Sequence, residues 1–383
     1  MSLVELLIDI LIATVPLMLI FATLFAFTTW LERKALARIQ NRIGPNKVGI
    51  PCTRISLFGL GQPAADGIKM LFKEDIVPRG ADRLFHLLAP ILALIPAMLV
   101  LCFLPLDFPW VNEDSVKAYL LDGAVIFFFA ITGLNTLAVF MAGWASRNKY
   151  SLLGGMRAVA QMVSYEIPLV LSAVIVVMMV GSLNAAEIAK AQTGLDWYVF
   201  SPWGFAAFVI FFIAALAETN RSPFDLPEAE SEIIAGYFTE YSGFKFALFF
   251  LGEYIAMFAI SGLAVTLFLG GGDGPGLAVL PWLSVIWFLA KIFALIAVMI
   301  WLRGTLPRLR VDQLMGFAWK FMLPLSILNI LVAGFAWHAE QLNNTIITVI
   351  TWVISLAILY GAARGLNQLN RSNVRPREYK DAE

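Results

Sequence analysis

Residues 244–270 read FKFALFFLGEYIAMFAISGLAVTLFLG, a strongly apolar run whose only charged residues are Lys245 and Glu253. About 20 apolar residues coiled as helix cross the ~30 Å hydrocarbon core of a bilayer. In lipid, every backbone polar group must find its partner inside the segment, so such a run is helical. Its two charges differ in kind. Lys245 sits at the edge, where its long stem reaches water. Glu253 sits within, at a cost of roughly 2.5–3.5 kcal/mol on insertion scales, which argues for a role.

Similar runs recur at 8–30, 84–105, 121–142, 161–181, 203–217, 282–302, 317–337 and 344–362, so nine spans are expected. The chain is 60% hydrophobic and 14% charged with mean hydropathy +0.80, against about 25% charged residues in soluble domains. It is therefore read as an all-α polytopic membrane bundle, a single domain over 1–383, without internal repeats. The first span has neither a basic leader nor an Ala-x-Ala-like cleavage site, so it is expected to be a retained helix.

Net charge is zero, but ten of the 27 Lys and Arg fall between Arg33 and Arg83. Further basic residues collect after spans three and seven and in the tail, 364–383. The loops after spans two and four hold only Lys117 and Lys190. By the positive-inside rule the odd-numbered loops and the C-terminus face the cytoplasm, with the N-terminus outside. A chain buried this deeply is not expected to bind nucleic acid. Cys52, Cys102, His86 and His338 show no metal-ligand spacing, so no metal or disulfide framework is expected, only a small thiol and a packed imidazole.

Immediately before 244 lies the most lopsided loop, 218–243, with Glu218, Asp225, Glu228, Glu230, Glu232 and Glu240 against Arg221 alone. Crowded carboxylates beside a bilayer are held near the point of taking up protons. Asp225-Leu226-Pro227-Glu228 has the form of a capping box, so a helix is expected to begin there. On it Glu228 and Glu232 would share a face. Capping alone accounts for Asp225; Glu230 and Glu232 exceed what a cap needs.

Glu166 lies inside span four, followed by Pro168, which can free a helix carbonyl for water. Glu166, Glu218 and Glu253 together suggest a buried relay; the alternative is a structural ion pair such as Glu253 with Lys291. Within the 31–83 loop, residues 57–73 place Gln62, Asp66, Lys69 and Lys73 on one helical stripe and Ala65, Ile68, Leu71 and Phe72 on another. That is a helix lying along the membrane surface. Residues 41–51 form a turn cluster, and Gly270 to Gly276 a flexible outer loop.

Leu-Glu-Arg-Lys at 31–34, Arg-Ile-Gly-Pro-Asn at 42–46, Gln62 to Asp66 with Lys69, Gly-Trp-Ala-Ser and Asn-Lys-Tyr-Ser-Leu-Leu-Gly within 143–154, Arg-Ala-Val-Ala-Gln at 157–161, Ser-Tyr-Glu at 164–166, the stretch 217–230, Glu-Tyr-Ser-Gly at 240–243 and Leu-Pro-Arg-x-Arg-x-Asp-Gln at 306–313 occur in order. This set resembles the family of quinone-chamber membrane subunits, the H subunits, of proton-pumping NADH:quinone oxidoreductases, respiratory complex I. The resemblance implies a translocase subunit of a cell inner membrane at the heel of the membrane arm, with no redox centre of its own. Its substrate would be a lipid quinone, ubiquinone or menaquinone. FMN and iron–sulfur clusters would sit on partners, which would include peripheral-arm quinone-site subunits and antiporter-like membrane subunits, within membrane lipid.

Carried over, Glu166, Glu218 and Glu253 would form the proton path and Glu228, Glu230 and Glu232 its link to the quinone chamber. Arg33, Gln62, Asp66, Lys69, Arg221, Asp225 and Arg303 would lie near that chamber, with the quinone tail passing between span one and the 57–73 helix. The family also implies that spans two to six resemble a half-channel. Some relatives carry an acid in span three where this chain has Asn135, and the ninth span exceeds the common eight. The rival readings are the membrane subunit of an energy-converting hydrogenase and a stand-alone ion-coupled transporter.

Overall fold

The computed structural model describes residues 3–49, 58–105, 121–194, 196–226, 235–277, 280, 282–341 and 345–372. Among them there are helices and turns and no strand. In chain order these are α1 (Leu3–Ile39), α2 (Gln62–Phe72), α3 (Arg83–Val100), α4 (Ala124–Ala145), α5 (Lys149–Val180), α6 (Ala185–Lys190), α7 (Pro202–Glu218), α8 (Gly243–Phe268), α9 (Leu283–Thr305), α10 (Val311–Phe317), α11 (Leu323–Gln341) and α12 (Thr345–Ser372). Each expected span thus has its helix. Among the described residues, six helical stretches are long and apolar enough to cross a membrane, and the apolar α7 is shorter, at 17 residues.

Two boundaries differ from the hydropathy reading. Helix α5 starts at Lys149 and not near 161, because Asn148 caps it by accepting from the Tyr150 N–H at 3.0 Å. Its first turns are polar and glycine-rich, which hides them from an apolar-run search. The helix stays continuous through Pro168 and ends at Gly181, whose φ of +76° suits glycine. The eighth span begins at Val311 and passes through a π turn, Ala318–Met322, before α11. There the Trp319 indole donates to Ser164 Oγ at 3.2 Å, joining that turn to α5.

Helix α8 is the centre of the bundle: 72% of its apolar window is buried, against 33–44% for the other five long spans. Its ring of aromatic contacts includes Phe258 edge-on to Phe21 of α1 and to Phe293 of α9. Between helices in lipid there is no hydrophobic drive, so close packing of small residues takes over. Helices α4 and α5 meet this way at Gly143 and Gly155, where a Cβ on Gly143 would come within 3.1 Å of the Ser151 carbonyl and 3.3 Å of Gly155.

The loop after α8 is tied down and not loose. Lys291 Nζ donates to the carbonyls of Leu269 (2.6 Å), Gly271 (3.0 Å) and Asp273 (2.7 Å), and lies 4.2 Å from the Trp197 ring. A cation on the last carbonyls of a helix is favoured by its dipole. Lys291 is therefore a clamp on the C-terminal end of α8 and not the counter-ion of Glu253. Buried Gln192 adds bonds to the Thr266 and Leu267 carbonyls at 3.0 and 3.1 Å. His86 is a packed imidazole, stacked on Tyr241 at 4.1 Å. The twelfth helix lies against α11 and α7.

Candidate functional site

Three polar groups gather where the 31–83 and 218–243 segments meet. The deepest centres on Glu32, near the end of α1 and only 3% exposed. Arg221, in the turn after α7, donates NH1 to both Glu32 oxygens at 3.1 and 3.2 Å. Tyr254 of α8 donates its hydroxyl to Glu32 Oε2 at 2.7 Å, and Arg303 of α9 is ion-paired with Oε1. The Arg221 guanidinium also lies over the Tyr254 ring, 4.1 Å from its centroid. Burial by itself would drive Arg221 toward neutrality, but the Glu32 carboxylate outweighs it and holds the guanidinium above its ordinary range. Four elements are thus fastened through one carboxylate.

The turn carrying Arg221 is positioned by buried Gln161 of α5. Its side-chain amide donates to the carbonyls of Ala217 (2.7 Å) and Phe224 (2.6 Å). Asp225, 4% exposed, pairs with Arg308 at 3.1 Å, and the Leu309 N–H donates to the Pro223 carbonyl. The chain after α9 is thereby strapped across the acidic loop. Asp225 is spent on that strap. The expected helix from 225, with Glu228, Glu230 and Glu232, lies outside the described residues.

The second group is the acids in the spans. Glu218 ends α7 at 7% exposure, and its Oε2 has no hydrogen-bond partner among the described residues. It lines a cavity of about 20 Å³ shared with Thr132, Asn135, Pro96 and Ala256, above the roughly 10–15 Å³ that one water occupies. Glu166 approaches the same part of α4: a Cβ on Gly133 would stand 3.3 Å from its Oε1, so the missing side chain leaves that carboxyl its room. Glu166 and Glu218 are close enough to feel each other's charge. Glu253 accepts from the Tyr237 hydroxyl at 3.2 Å, and its charge in turn reaches Arg221.

The third group joins α1 to the surface helix. Arg33 meets Asp66 at 2.5 Å, Gln62 donates to the same carboxylate at 3.2 Å, and Lys69 lies 3.8 Å away. Ile68, Leu71 and Phe72 of α2 are exposed. The residues expected around one chamber therefore divide: Arg33, Gln62, Asp66 and Lys69 form an exposed set, Arg221 and Arg303 the buried one, and Asp225 the strap. Glu32 and Tyr254 were not singled out by sequence. The signal for Glu32 was its place at the end of the first span beside Arg33, where the basic neighbour drew the attention. Among the described residues, no group of His, Cys, Asp and Glu is arranged to hold a metal ion.

Comparison with known proteins gives a consistent pattern. The profile of a family described as NADH dehydrogenase matches residues 12–334. The chain is similar to the NADH-quinone oxidoreductase H subunit of Geobacillus kaustophilus (strain HTA426), 48% identical over 320 residues, which are 82% of this chain and 91% of that one. A protein of the same name from Dehalococcoides mccartyi (strain CBDB1) is 47% identical over 332 residues, 87% of each chain. The NADH-quinone oxidoreductase H subunit numbered 2 in Koribacter versatilis (strain Ellin345) is 43% identical over 344 residues, 85% of this chain and 95% of that one.

Proposed function

Since the chain belongs to the NADH dehydrogenase family, we propose that it is the membrane subunit of an NADH-quinone oxidoreductase that helps to form the quinone chamber and couples quinone reduction to proton movement. The observation that carries this reading is the run of buried charge from Glu32, Arg221 and Arg303 to Glu253, beside a second pair of acids, Glu218 and Glu166, that feel each other's charge. Buried ionisable groups are costly, and in a membrane they mark relays and pathways.

In this reading the quinone tail passes from lipid between α1 and α2, beside the Arg33–Asp66 pair and the exposed apolar face of α2. The headgroup is reduced at the cytoplasmic edge by electrons from FMN and iron–sulfur clusters on peripheral-arm partners. Making quinol takes up two protons for two electrons. The charge change is felt by the acidic loop, Glu228, Glu230 and Glu232 included, and passes through Glu253, Glu218 and Glu166 toward antiporter-like subunits. Asn135 and Thr132 would hold a water beside Glu218, taking the place of a titrating side chain on α4. The N-terminus faces outward and the C-terminus the cytoplasm.

The test is turnover of the assembled complex in which Glu253 is replaced by Gln. The expected result is full assembly with NADH:quinone turnover lowered at least severalfold. Normal turnover would remove Glu253 from the path.

A further inference from the structure

Arg221 makes unequal use of its guanidinium. NH1 is fully engaged by Glu32, whereas Nε and NH2 are buried and have no hydrogen-bond partner among the described residues. A guanidinium carries five donors in a rigid fork, suited to holding a carboxylate along an edge. Here one edge is idle in a place where water does not reach. Among the described residues, the carboxylates whose charges act on it are Glu32 and Glu253, which belong to different helices.

The surroundings allow one to be exchanged for the other. Glu32 has a second cation, Arg303, and a phenol donor, Tyr254, so it stays compensated if Arg221 turns away. Arg221 stands over the face of Tyr254, the residue that follows Glu253 on α8, and a ring face holds a cation without fixing its orientation. Its backbone is in an irregular turn and not in a helix, which leaves the side chain free of helical rotamer limits.

We infer that Arg221 is a shared counter-ion that exchanges between Glu32 and Glu253, so that the charge state of the acid on α8 is tied to the fastening of α1, α8 and α9. The inference rests on the proposed role of Glu253 and adds the positioning residue through which that acid would act on the chamber. When Glu253 is ionised the idle edge turns to it, and Arg303 and the Tyr254 hydroxyl keep Glu32. When Glu253 is protonated Arg221 returns to Glu32.

Arg221→Lys keeps a charge for Glu32 but has no second edge. In the assembled complex it is expected to lower quinone-linked turnover severalfold, and in a Glu253→Gln background to add no further loss. Losses that multiply in the double variant, or wild-type turnover in Arg221→Lys, would overturn the exchange. Should Arg221→Lys fail to assemble, Arg303 decides. Arg303→Gln leaves Glu32 dependent on Arg221 and is expected to lower turnover per assembled complex, with Arg303→Lys restoring it. Unchanged turnover in Arg303→Gln would contradict the inference. The single Glu253→Gln variant keeps the two readings apart: if it is normal the path fails, and if it is impaired while the losses multiply only the exchange fails.

Discussion

Glu32 holds two guanidinium groups and a phenol in a site where water has little access. Removing one partner of a buried ion pair leaves uncompensated charge at a cost of roughly 3–5 kcal/mol. Glu32→Gln is therefore expected to reduce sharply the amount of assembled protein recovered from membranes, or to lower its unfolding midpoint. Wild-type recovery and midpoint would show that the pair is not closed off. By contrast the exposed Arg33–Asp66 pair should contribute about 0–1 kcal/mol to stability, so Arg33→Ala should leave recovery nearly unchanged. At Asn135 the cavity gives a sharper contrast. Asn135→Leu fills the space beside Glu218 with an apolar group and should slow proton-coupled turnover, whereas Asn135→Asp keeps a water partner and should not. Equal rates in the two variants would remove the water from the path.

At the level of elements, the junction of α4 and α5 depends on two glycines facing one another. A side chain at Gly143 would strike the Ser151 carbonyl, a backbone atom that cannot turn aside. Gly143→Leu should cost at least the roughly 1–3 kcal/mol typical of overpacking and lower the yield of folded protein; an unaffected yield would mean that the helices can part freely. These helices were legible as spans because hydropathy registers length and apolar content. The start of α5 was not, since its polar first turns carry a cap and close contacts that an average over residues dilutes. The π turn at 318–322 leaves no mark in composition either. The alternative that paired Lys291 with Glu253 fails for a related reason: a sequence shows the charges inside spans but not the free carbonyls at a helix end, which serve a lysine equally well.

For the whole molecule, the family was legible from an ordered set of short motifs, while the site was legible only in part. Glu166, Glu218 and Glu253 stood out because charge is rare in spans. Glu32 and Tyr254 did not, since one sits at a span edge and the other is an ordinary aromatic until the fold brings residues 32, 221, 254 and 303 together. The charge asymmetry of the loops makes a separate prediction about orientation. Cysteines placed at the exposed positions Lys149 and Lys190 should be labelled by an impermeant reagent from opposite sides, Lys190→Cys from outside intact cells and Lys149→Cys only after permeabilisation. The reverse pattern would invert the topology. The central claim, that buried carboxylates couple quinone reduction to proton movement, is tested most directly by counting protons moved per NADH oxidised in proteoliposomes holding a fully assembled Glu218→Gln complex. A count well below wild type is predicted, and an unchanged count at normal turnover would contradict it.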